Sequence, residues 1–204
     1  MRRRILLATP LLAARPARAA TATGAEAASL VAALRRGGAV AVMRHGITDR
    51  SQADTGDLAN RAGQRNLNEA GRAQSQRTGQ ALTALGIPLG AVLASPVLRA
   101  RDTAELAFGG KTVVAPELTA DDYTPDPELL RQRIAWLRAR SGRPSAPGVT
   151  DILVGHIVPL GMALGRSLAQ AEYPEGALAV FAPGEQGRLL GILAAETVWA
   201  AARA

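Results

Sequence analysis

Ala39-Val40-Ala41-Val42-Met43-Arg44-His45-Gly46 decides the fold. Its four leading apolar residues fit a short strand buried on both faces, as in a parallel sheet covered by helices. Two other stretches repeat the pattern. Ala91-Val92-Leu93-Ala94 runs into Ser95-Pro96-Val97-Leu98-Arg99, and Ile152-Leu153-Val154 runs into Gly155-His156. The chain has two histidines, and each follows one of these runs. Each therefore stands at the carboxyl end of a strand, where open α/β sheets hold their ligands. Arg44 and Arg99 are delivered to the same rim. Two histidines and two arginines on three strand ends make a cationic cup.

Outward from these strands, helix and strand signals alternate. Ala25–Arg36 has helical spacing and stops at Gly37-Gly38. Residues 46–66 form a long polar loop directly behind the Arg-His pair, and long loops in compact domains tend to be functional. A helix is expected over Leu67–Leu85, with Leu67, Ala70, Ala81, Leu82 and Leu85 on its apolar side. Further helices are expected over Val97–Phe108, Glu128–Arg140 and Val158–Leu168, and a short strand over Thr112–Ala115. The runs Ala177–Phe181 and Leu189–Ala194 flank a Pro-Gly-rich turn and read as a hairpin at one sheet edge. The expected architecture is α/β: a single three-layer α/β/α domain over residues 25–204, with a mostly parallel sheet and an antiparallel edge.

The formal charge of +7 on 204 residues first suggests a nucleic-acid partner. Five of those charges, Arg2, Arg3, Arg4, Arg15 and Arg18, fall within residues 1–20, which hold no acid. Without them the balance is +2, and with so few aromatic residues for base stacking, nucleic acid is discounted. Residues 1–20 read as a signal peptide: a basic start, an apolar stretch from Ile5 to Ala14, and Ala17-Arg18-Ala19 as a cleavage site. That stretch is too short to span a bilayer, so no stable membrane insertion is expected. The arginine cluster also fits a twin-arginine signal, and the expected location is periplasmic or secreted. The absence of cysteine removes disulfides and thiolate metal sites from consideration.

The cup residues suit phosphoryl transfer. That chemistry needs positive groups around the phosphoryl oxygens and an in-line nucleophile. An imidazole can be the nucleophile near neutral pH, and its phosphoramidate hydrolyses readily. Arginine donates to two oxygens at once and keeps its charge. Adjacent residues of a strand point to opposite faces, so Arg44 and His45 can share one phosphate only if the chain turns there, which Gly46 permits.

Arg44-His45-Gly46-Ile47-Thr48 resembles the RHG-x-T signature of the histidine phosphatase superfamily, the phosphoglycerate-mutase-like fold. Asn66-Leu67-Asn68-Glu69-Ala70-Gly71-Arg72-Ala73-Gln74, Ser95-Pro96-Val97-Leu98-Arg99-Ala100-Arg101-Asp102-Thr103-Ala104 and Val154-Gly155-His156 resemble that family's later blocks, in the same order. The resemblance implies His45 as a nucleophile that becomes phosphohistidine, with Arg44, Arg99 and His156 binding the phosphoryl oxygens. It adds Thr48 as a weaker substrate contact, and it implies no metal and no cofactor.

Many family members carry an acid after the third strand that protonates the leaving group. Here that segment, residues 115–123, offers Glu117, Asp121 and Asp122 without a clear match, and Asp121 or Asp122 ranks above Glu117. Gln64 and Arg65 sit in the long loop and could touch a substrate, and Arg50 and Arg61 could favour an acidic one, though most arginines are solvated. The expected activity is a metal-independent phosphatase acting on a small phosphorylated substrate or a phosphoprotein. The alternatives are a phosphate- or sugar-phosphate-binding protein without turnover and, less favoured, a phosphoglycerate mutase.

Overall fold

The computed structural model describes residues 21–184 and 187–204. The signal-peptide expectation for residues 1–20 lies outside them. Twelve principal elements follow in order: α1 (Gly24–Arg36), β1 (Val40–Arg44), α2 (Glu69–Ala84), β2 (Leu89–Ala94), α3 (Leu98–Phe108), β3 (Thr112–Val114), α4 (Pro127–Gly142), β4 (Thr150–Gly155), α5 (Ile157–Ala163), β5 (Leu178–Phe181), β6 (Leu189–Leu193) and α6 (Ala195–Ala201). The sheet order is β3-β2-β4-β1-β5-β6. Strands β1 to β4 pair in parallel, while β5 runs antiparallel to both β1 and β6. This is the expected mostly parallel sheet with an antiparallel edge.

All five residues of β1 are buried, because helices cover both faces of the sheet. Side chains alternate across a strand, so Ala41 and Met43 enter one apolar core while Val40 and Val42 enter another. The first core collects α1, α2, α3 and the partly buried Trp199 of α6; the second collects α4 and α5. Both put β1 and β4 at the centre, where their carboxyl ends are adjacent. No helix among the described residues is long and apolar enough to cross a membrane.

Three expectations need correction. Helix α5 ends at Ala163, not Leu168, because Gly165 adopts a left-handed φ of 71° and turns the chain into a loop over 164–177. The helix α6 has no counterpart in the sequence reading; it is only seven residues long and its alanines carry little periodicity. Helix α2 buries Gly71, Gln74, Ser75, Thr78, Gly79, Ala81 and Leu82, whereas Ala70 is exposed. The inward face of α2 is thus small and polar. A Cβ on Gly71 would stand 1.9 Å from the Ile47 carbonyl oxygen, and one on Gly79 would stand 2.0 Å from that of Ala107. Backbone meets backbone there, which leaves no space for the large apolar side chains that periodicity detects.

Candidate active site

Strand pairing builds the cup. Arg44, the last residue of β1, lies opposite Gly155, the last of β4, and the His45 N–H donates to the Gly155 carbonyl at 3.1 Å. His45 and His156 therefore leave the sheet side by side, with ring centroids 5.5 Å apart and planes inclined at 53°. The Ser95 N–H donates to the Val154 carbonyl at 2.9 Å and brings the end of β2 to the same level. Gly46 is needed for room rather than for a left-handed turn. A Cβ there would lie 2.9 Å from both the Gly71 carbonyl and Ser75 Oγ. Its N–H donates to Thr103 Oγ1 at 2.8 Å, which ties the chain behind His45 to α3.

A hydrogen-bond partner assigns the tautomer of His45. His45 Nδ1 faces the Gly46 carbonyl at 2.9 Å, and a carbonyl can only accept. Nδ1 therefore carries the proton and Nε2 the lone pair. Ser95 Oγ accepts from the Val97 N–H at 3.2 Å and meets His156 Nε2 at 2.9 Å. Burial, reinforced by the positive charge of Arg99, holds both imidazoles well below their usual 6.5, so both are neutral at physiological pH.

The arginines are braced from outside the cup. Arg44 Nη1 donates to Gln170 Oε1 and to the Tyr173 carbonyl, both at 2.7 Å, and Nη2 lies 4.0 Å from Glu175. Burial lowers the pKa of Arg44, with Glu175 opposing the shift. Arg99 Nη1 donates to both oxygens of Asp54 at 3.0 and 3.1 Å, and its Nη2 to Asp122 at 3.3 Å. Both side chains are almost fully buried. Yet Arg44 Nε, Arg99 Nε, Arg65 Nε and His156 Nδ1 are buried without a hydrogen-bond partner in the protein. Buried donors normally find partners. Three guanidinium nitrogens and one imidazole nitrogen without partners suit an anion.

The two acids on Arg99 have opposite environments. Burial works against ionisation of Asp54, but hydrogen bonds from Tyr123 Oη (2.6 Å) and the Arg65 N–H (2.9 Å), with the Arg99 charge, hold its carboxyl below the usual range. Burial raises Asp122; Arg99 opposes this, but the charges of Asp54 and Asp121 add to the rise. One carboxyl is kept ionised and its neighbour is made easier to protonate. Pairs whose environments divide them in this way are how active sites assign an acid.

Of the residues named from sequence, His45, His156, Arg44, Arg99 and Asp122 come together. Asp121 acts on Asp122 through its charge and makes no ion pair with the cup arginines. Glu117 acts on Arg133 instead. Thr48 is buried, and its hydroxyl donates to Glu175 at 2.9 Å, bracing the acid that faces Arg44. Gln64 is fully buried and pins the long loop, accepting from the Leu98 N–H at 2.9 Å and donating to the Asp57 and Leu58 carbonyls. Arg61 binds Asp102 in bidentate fashion at 2.7 and 3.0 Å. Arg50, largely exposed, faces Glu175 at 3.6 Å. Sequence reasoning missed Asp54, Tyr123, Gln170, Tyr173 and Glu175, all in irregular segments without a periodic signal.

Residues 40–121 match the histidine phosphatase superfamily (branch 1). Over that stretch the chain resembles this superfamily. An uncharacterised protein of Picosynechococcus sp. is 34% identical over 127 residues, an alignment that spans 58% of this chain and 66% of that one. Among solved structures, the protein histidine phosphatase SixA complexed with tungstate superposes with a TM-score of 0.56 at 21% identity, covering 78% of this chain and 99% of that one. The alpha-ribazole phosphatase of Shigella flexneri gives 0.52 at 16% identity, over 76% and 95% of the two chains. The phosphoserine phosphatase of Entamoeba histolytica gives 0.52 at 15%, over 78% and 98%. At these identities the likeness is one of fold. The histidine phosphatase blocks from residue 40 to 121 carry His45, Arg44 and Arg99; His156 lies beyond them, and the pairing of β1 with β4 brings it alongside.

Proposed function

We propose that this protein is a metal-independent phosphatase that works through a phosphohistidine on His45. The observation that carries the reading is the tautomer of His45: Nδ1–H is held by the Gly46 carbonyl, so a neutral ring presents the Nε2 lone pair. In this reading Arg44 Nε, Arg99 Nε and a protonated Nδ1 of His156, each buried without a partner in the protein, meet the three non-bridging oxygens of a phosphoryl group. In the first step Nε2 attacks phosphorus, the N–P bond forms, and the P–O bond to the leaving group breaks. Asp122, protonated beforehand, gives its proton to the departing oxygen. In the second step water attacks the phosphohistidine and passes a proton to Asp122, and the N–P bond breaks to release phosphate. The Gly46 carbonyl stabilises the positive ring between the two steps.

The charge of the cup supports metal independence. Arg44, Arg65 and Arg99 all act on both histidines and repel a divalent cation from the space where it would be needed. We also propose export of the mature chain, on the strength of the basic and apolar pattern of residues 1–20. Amino-terminal sequencing of protein recovered from the source cells tests this; a mature start near residue 20 supports it, and an intact Met1 contradicts it.

The enzymatic reading is tested by turnover in chelator. Wild-type protein is expected to hydrolyse para-nitrophenyl phosphate at an undiminished rate in excess EDTA. D122N is expected to lose about 100-fold or more on ethyl phosphate, whose leaving group needs a proton, and less than about tenfold on para-nitrophenyl phosphate. Activity restored only by metal, or equal losses on the two substrates, would contradict the metal-free and general-acid assignments respectively.

A further inference from the structure

Arg65 differs from the other arginines of the cup. Arg44 Nη1 is committed to Gln170 and Tyr173, and Arg99 Nη1 and Nη2 to Asp54 and Asp122. Among the described residues, Arg65 has no carboxylate within ion-pair distance, and its buried Nε has no acceptor. Its backbone is nonetheless fixed. The Arg65 N–H donates at 2.9 Å to the same Asp54 oxygen that Arg99 Nη1 meets at 3.0 Å. The preceding Gln64 is locked between the start of α3 and the carbonyls of 57 and 58. A cation on a rigid support, one hydrogen bond from the Arg99 clamp, is built to meet something.

That something is not the transferred group alone. The phosphatase reading assigns Arg44 Nε, Arg99 Nε and His156 Nδ1 to its three non-bridging oxygens, and Arg65 Nε is a further buried nitrogen without a partner. The guanidinium of Arg65 lies close enough to His45, His156 and Arg44 for its charge to act on each of them. Asp54 feels that charge as well, but its oxygens are engaged by Arg99, Tyr123 and the Arg65 N–H.

We propose that Arg65 forms a second anion subsite at the rim of the cup, which selects substrates whose leaving group carries its own negative charge next to the scissile bond. Phosphoanhydrides and phosphate esters with an adjacent acidic group make up that class. The proposal rests on the phosphatase reading for which end of the substrate is transferred, but the binding it describes does not need turnover. A phosphoanhydride leaving group also needs little protonation, which suits the part-exposed Asp122 as its acid.

The test is calorimetric and uses two non-hydrolysable probes, methylphosphonate and methylenediphosphonate, on wild-type protein, R65Q and R65K. Wild type is expected to bind the diphosphonate at least tenfold more tightly, the scale of one charge-assisted hydrogen bond. R65Q should remove most of that preference by weakening the diphosphonate about tenfold more than the monophosphonate, and R65K should keep part of it. Equal weakening of both probes would overturn the proposal, since Arg65 would then serve the transferred group. A wild-type protein indifferent to the second phosphonate would overturn it too. Failure of the phosphatase reading shows separately, as absence of turnover on para-nitrophenyl phosphate with the binding preference intact.

Discussion

His45 and His156 are central to the proposed chemistry and carry a distinct cost. Both are buried, and both titrate well below the 6.5 they would have in an unfolded chain. Below that pH the unfolded state binds protons that the native state refuses. Their contribution to stability is therefore complete above about pH 6.5, falls as the pH drops, and stops falling once the native pKa values are passed. Each histidine adds at most about 1.4 kcal/mol per pH unit to the slope. Thermal unfolding between pH 7 and 5 should show the melting temperature falling, and H156N should show a shallower fall than wild type. An unchanged slope in H156N would mean that its imidazole is protonated as easily in the native state as in the unfolded one. Residue by residue, the cup itself was legible because its members each follow an apolar run within a few positions. Their supports were not. Asp54 reaches Arg99 across 45 positions, and the Tyr173 carbonyl reaches Arg44 across 129. No local spacing encodes such contacts.

At the scale of elements, the strands were readable because burial on both faces makes continuous apolar runs, and the structure starts and ends β1, β2 and β4 within two residues of those runs. Helix α2 was readable as a helix but not for its inward face. Polar Gln74 is turned inward to serve the site, accepting from the Ile47 N–H and donating to the Glu175 carbonyl. Gly71 lets the helix sit against the backbone that carries Ile47. G71A is therefore expected to cost about 1–3 kcal/mol in denaturant unfolding, the usual range for overpacking. It should also lower turnover, because the displaced segment begins one residue after His45-Gly46. The control is G110A, where a Cβ meets open space and a change under about 0.5 kcal/mol is expected. If G71A were as neutral as the control, the close approach of α2 to the His45 loop would not be a determinant of the site.

Across the whole molecule, sheet order converts sequence into function. Strand β4, more than a hundred residues after β1, inserts between β1 and β2, so the two histidines become neighbours and Ser95 reaches the second of them. The loops over 46–66 and 164–177 then close around the rim, bringing Asp54 and Arg65 from one side and Gln170, Tyr173 and Glu175 from the other. The resulting site is rich in donors and positive charge, and it holds one imidazole with a free lone pair. The measurement that tests this account most directly is mass spectrometry of protein mixed with para-nitrophenyl phosphate in EDTA and quenched in alkali within the first turnovers. A single phosphoryl group on the peptide containing His45, absent from H45A, is the predicted result. Turnover with no phosphorylated peptide, or with phosphate on His156 instead, would contradict the assignment of His45 as the nucleophile.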